Sequence, residues 1–142
     1  MFSGKLFLII GVIFLGFTIV MVILPNDAET DPESQSDVLR THVYHTDPQS
    51  VLALSDSVIR SLEGWSIIAV NSESGEIAAQ CTTSVASLVD EVEITIRAGG
   101  NEKESEVDVS SASRLGLYDF GRNERNIEEF FTSLDRRLQR VR

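Results

Sequence analysis

Cysteine is almost missing from this chain: Cys81 is the single one in 142 residues. No internal disulfide framework can form, and no cysteine cluster can hold a metal. Histidine is nearly as scarce. His42 and His45 stand three positions apart with no third ligand beside them, and neither lies in a recognisable motif, so both are expected at surface or edge positions and no metal or cofactor is expected. A serine nucleophile would have only these two histidines as a base. Basic residues are few as well. Twelve Lys and Arg face 22 Asp and Glu, for a net charge of −10. An acidic body of this kind repels phosphate backbones, which argues against nucleic acid as a partner. The imbalance is uneven, because residues 27–113 hold 17 acids and four bases whereas seven arginines follow.

What the chain does have is one long apolar run. Residues 6–24, LFLIIGVIFLGFTIVMVIL, carry no charge over 19 positions. As a helix this run would cover roughly 28 Å, close to the ~30 Å hydrocarbon layer of a bilayer. A cleaved signal has a shorter apolar core and a small-x-small site, for which Asn26 and Ala28 are a poor pair. A retained single-pass transmembrane anchor is therefore expected. Lys5 precedes the run and the next base is Arg40, so residues 1–5 are expected in the cytoplasm and the rest of the chain outside it.

Beyond the anchor, PNDAETDPESQSD (residues 25–37) is acidic, proline-bearing and aperiodic. It reads as a disordered tether, with the folded domain occupying 38–142. Asp47-Pro48 is a helix-start signal, followed by Val51, Leu54, Val58 and Leu62 at helical spacing and by Gly64 as a stop. Four strand-like runs come next. Trp65 to Val70 is apolar at nearly every position, as in a buried strand, and Ile77, Ala79 and Cys81 share one face of the second run. In the third, Val92, Ile94 and Ile96 alternate with Glu91, Glu93, Thr95 and Arg97. In the fourth, Val107 and Val109 point inward against Glu104, Glu106 and Asp108. Short links between them predict an antiparallel meander. Finally Ile127, Phe130, Phe131, Leu134, Leu138 and Val141 form one helical face, with Asn123 as its expected cap. The expected fold class is α+β: one helix, a four-stranded antiparallel meander and a C-terminal helix packed on one face of the sheet.

The stretch VDVSSASRLGLYDFGRNERNIEEFFTSL (residues 107–134) resembles the closing signature of the family called domain of unknown function 1499. Ser111, Ser113, Arg114, Gly116, Asp119, Gly121 and Asn123 stand at the matching positions, while Ser110 and Asn126 depart from arginines usual there. A second match, TTSVASLVDEVEITIR, ends in the pair Asp90-Glu91 before a strand. The resemblance implies a small membrane-anchored or exported α+β domain, and the family name assigns no activity.

Strand parity adds to this. Continuing the alternation of Val107 and Val109 places Ser111 and Ser113 on the inner face, and Asp90 falls in phase with Val92. Buried hydroxyls and a buried carboxylate need partners. In one reading Ser111, Ser113, Asp90, Asp119 and Arg114 satisfy one another, with an Arg114–Asp119 pair across the turn and with Gly116 and Gly121 supplying unusual backbone angles. In the other, Arg114 and the helix N-terminus cradle a carboxylate or phosphate. The functions open at this point are an anchored binding module, whose partner is a small anionic ligand, a lipid headgroup or an envelope protein, and a small enzyme acting on an anionic substrate at the 111–123 corner.

Overall fold

The computed structural model describes residues 27–83, 87–115 and 121–138. The expected anchor at 6–24 lies outside them. Among the described residues no helix is long and apolar enough to cross a membrane.

Among the described residues there are six strands and two helices: β1 (Asp27–Glu29), β2 (His42–Tyr44), α1 (Pro48–Ser61), β3 (Trp65–Asn71), β4 (Glu76–Thr82), β5 (Val89–Ala98), β6 (Ser105–Ser113) and α2 (Arg122–Asp135). β3 to β6 are the antiparallel meander read from the sequence, in the order β6-β5-β4-β3. The sheet nevertheless has six strands where four were expected, because β1 and β2 both pair with β6 on its free side. β1 covers Ser110, Ser111 and Ala112, and β2 covers Ser105, Glu106 and Val107. Between them Thr30 completes the edge. Its N–H donates to the Val109 carbonyl at 2.9 Å, and its Oγ1 accepts the Val109 N–H at 2.8 Å.

The segment expected to be a tether thus begins inside the sheet, and Thr30 is buried. The excursion that follows is pinned at its neck, where Asp31 donates to the Leu39 carbonyl at 2.8 Å and Thr41 to the Asp31 carbonyl. Within it, Asp31 Oδ1 accepts from Glu33 N–H and the Arg40 guanidinium donates to the Ser34 carbonyl. Acidic composition suits disorder only where backbone groups have no partner, and here β6 supplies them.

Asp47 caps α1 through a 2.9 Å bond from Ser50 N–H to its Oδ1, with Pro48 at the first helical position. The chain leaves α1 through Gly64, whose φ of +80° and approach to Thr82 exclude a side chain: a Cβ there would stand 2.7 Å from the Thr82 carbonyl oxygen. Both helices lie on one face of the sheet. Val51, Leu52, Val58 and Ile59 of α1 and Ile127, Phe130, Phe131 and Leu134 of α2 close over Ile77, Ala79, Val92, Ile94, Ile96, Val107 and Val109. Cys81 belongs to this core, and burial, with the nearby carboxylates of Glu129 and Asp90, pushes its thiol up to about 11.

One expectation about the core fails and a second holds only in part. β3 is an edge strand and is not buried along its length: Trp65 is buried, but Ile68 and Val70 are 57% and 44% exposed. Its register shifts between Ile67 and Ala69, a bulge that turns Ile68 out of the alternation. His42, expected at a surface or edge position, lies in the edge strand β2 but is buried. Its ring stacks on Phe131 with centroids 3.6 Å apart, and Nδ1 lies 3.2 Å from the Tyr44 hydroxyl, which donates to Asp135 at 2.5 Å. His45 is exposed as expected, 3.3 Å from Glu104.

Candidate functional site

The inner face of β6 changes character along its length. Val107 and Val109 are apolar, and the next two residues of the same parity, Ser111 and Ser113, are buried hydroxyls. Strand register puts Asp90 of β5 opposite Ser113, and its side chain is fully buried. The first turn of α2 comes down on this end of the sheet. Asn123 and Asn126 extend the apolar stripe of Ile127 and Phe130 by one turn toward the helix start, so they too face inward and are buried. Arg122, the first residue of the helix, reaches over the rim with only 14% of its side chain exposed.

Each polar atom here meets another. Asp90 Oδ2 accepts from Arg122 Nε at 2.6 Å and Asn126 Nδ2 at 2.9 Å. Its Oδ1 accepts from Arg122 Nη2 at 2.5 Å and the Ser113 hydroxyl at 3.0 Å. Ser113 Oγ accepts in turn from Arg122 Nη2 at 2.6 Å. The Ser111 hydroxyl donates to Asn123 Oδ1 at 2.6 Å and accepts from Asn126 Nδ2 at 3.2 Å. Burial alone would raise the Asp90 carboxyl, but the bonds from Arg122, Asn126 and Ser113, with the Arg122 charge, outweigh it and hold the group below its usual value. Asp90 is an anion at neutral pH, bidentate to a guanidinium beneath the positive end of a helix.

Of the residues picked out in the sequence, Ser111, Ser113, Asp90 and Asn123 come together. Asn123 does so in a different role: it is not the helix cap, because α2 starts at Arg122 with Gly121 as the cap residue, in the left-handed region at φ 73°. Its side chain bonds down into the sheet. Arg114 stands apart, on the solvent side, with Nε 2.9 Å from Glu91 Oε1 and both side chains at least half exposed. Gly116 and Asp119 lie outside the described residues. Arg122 and Asn126 were missed, although helical phase marks both: 122, 126 and 130 fall on neighbouring positions of one face.

As chemistry, the corner is closed. Both serine hydroxyls are engaged inside the cluster, and the carboxylate beside Ser113, Asp90, is a weakened base. A groove of about 810 Å³ runs beside it over Leu62, Thr83, Arg122, Arg125, Glu129 and Arg136, open to solvent and lined by both signs of charge. Among the described residues no group of three or more His, Cys, Asp or Glu converges as metal ligands do.

These features define the class as a small α+β domain: one antiparallel sheet, two helices on one face, and a buried ionic corner joining the last strand to the last helix. The family model described as protein of unknown function (DUF1499) matches residues 22–134, and the chain belongs to that family. The match takes in β1 and β2, in keeping with a domain that starts before residue 38. No curated protein matches the chain.

Proposed function

We propose that this protein is a membrane-anchored binding or interaction module held outside the cytoplasm by residues 6–24. The observation that carries the reading is the uncharged 19-residue run joined directly to a domain whose most specific polar cluster is closed on itself. Such a cluster fastens α2 to the sheet and leaves the outer surfaces for recognition. Among the partners open from the sequence, an envelope protein is favoured over a small anion. Arg114 is held by Glu91 and Arg122 by Asp90, so both arginines of the corner are already engaged by carboxylates, whereas β3, an edge strand among the described residues, exposes Ile68 and Val70. An enzyme acting on an anionic substrate would need those same cations and a free nucleophile with its base.

Protease added to intact cells tests the topology. Digestion of the domain together with an outward-facing control is expected; a domain that survives while the control is cut would refute the outward orientation.

A further inference from the structure

We infer that the end of the sheet bearing Asp27, Arg114 and Leu115 rests on the lipid bilayer, with Leu115 set among the headgroups. This deepens the anchored reading above and depends on it. The apolar run ends at Leu24 and β1 begins at Asp27, so three peptide units join them. Consecutive Cα atoms are 3.8 Å apart, which keeps Asp27 within roughly 11 Å of the last apolar residue. The polar layer on each side of a bilayer is itself roughly 5–8 Å deep. A flexible tether of 13 residues would have let the domain float roughly 20 Å away. With β1 and Thr30 bonded to β6, that freedom is gone.

The pairing also decides which end points down. β1 enters at Asp27 opposite Ala112 and runs away from that end, toward Val109. β6 arrives at the same end, and Leu115 lies three residues beyond Ala112, enough for up to ~10 Å of extended chain. The starts of β3 and β5 and the start of α2 share this end, because Trp65 pairs with Cys81, Cys81 with Asp90 and Asp90 with Ser113. At it stands Leu115, 66% exposed, the most exposed large apolar side chain among the described residues. Arg114, Arg122 and Arg125 cluster there as well, alongside Asp27, Glu63, Glu91 and Glu124. Arg122 is turned inward to Asp90 and acids outnumber bases at this end, so apolar contact and the short link hold the domain down, and Arg114 and Arg125 sit at the depth of lipid phosphates. The strongly acidic turns, with Glu73 and Glu76 at one and Glu102 and Glu104 at the other, lie at the opposite end and face away from the membrane.

The test uses the full chain reconstituted in phosphatidylcholine vesicles and labelled at a single new cysteine, Leu115→Cys or Glu73→Cys. Cys81 is buried with its thiol pushed up to about 11, so it stays unlabelled in the folded protein. Lipids spin-labelled at the headgroup are expected to quench a fluorophore at 115 at least threefold more than one at 73. Equal quenching at both positions in chains that float with the vesicles would overturn the docking and leave the anchor standing. Chains that fail to float would overturn the anchor, and the docking with it. Protection of position 115 from a water-soluble quencher without quenching by the lipids would mean that a second copy covers Leu115, and would also overturn the proposal.

Discussion

Replacing Arg122 with methionine removes the one full charge that compensates Asp90 while leaving most of the aliphatic stem in place. The guanidinium donates twice to Asp90 and once to Ser113 Oγ, at 2.5 to 2.6 Å. Afterwards a fully buried carboxylate keeps only Asn126 and Ser113 as donors. Breaking a buried pair from one side costs about 3–5 kcal/mol, against a total stability of about 5–15 kcal/mol for an ordinary domain. The midpoint of thermal unfolding should fall by roughly 15 °C or more. The sign of the pH dependence is the sharper part. In the native protein the Asp90 carboxyl is held below its unfolded value, so its contribution is present above about pH 4 and is lost as pH falls through the depressed value. Without Arg122, burial dominates and the carboxyl rises above its unfolded value, so the variant gains stability as pH falls while the native protein loses it. Urea melts between pH 7 and pH 3.5 should therefore show a deficit that is largest at neutral pH and narrows in acid. Asp90→Asn should cost less, about 1–3 kcal/mol, because Arg122 sits at the rim and can turn to water. A deficit under about 1 kcal/mol for Arg122→Met, or one independent of pH, would refute the account of the corner as a lock built on a buried ion pair.

Arg114→Ala should change stability by less than about 0.5 kcal/mol in the same melts, since its pair with Glu91 is half exposed on both sides; a loss like that of Arg122→Met would mean that Arg114 reaches the cluster. Thr30→Val should cost about 1–3 kcal/mol by leaving the buried Val109 N–H without its acceptor. Hydrogen exchange at Val109 should accelerate in that variant, and unchanged protection there would show that the β1 edge contributes nothing to the sheet.

The inner strands of the meander and both helices were legible because their apolar residues recur at a fixed period. Val92, Ile94 and Ile96 give a period of two, and Ile127, Phe130, Phe131 and Leu134 give the helical one. β1 and β2 are three residues each, Asp-Ala-Glu and His-Val-Tyr, too short to show any period. They are strands only because β6 offers them an open edge some 80 and 60 positions further along the chain. The misreading of β3 has the opposite cause. WSIIAV is apolar at every position but Ser66, and periodicity cannot separate a strand covered on both faces from an edge strand with a bulge.

The corner divides along the same line. Parity placed Ser111, Ser113 and Asp90 inside, because a strand's alternation continues whether its residues are apolar or not. The structure puts Arg114 on the other side of β6 from Ser113, against Glu91, and not in the cluster with Asp90 where the sequence reading groups it. The partner had to come from across the interface, from an element facing the inner side of β6, and only α2 begins there. Arg122 is the arginine nearest the start of that helix, one residue after the Gly121 cap, so its long side chain can reach back over the sheet's end while Asn123 and Asn126 fill the turn behind it. A motif match names residues that recur together, whereas the face each one occupies decides which of them touch. On that basis Arg114, paired with Glu91, belongs to the outer side of the sheet's end and Arg122 to the buried corner, and the contrast between their alanine and methionine variants measures the division.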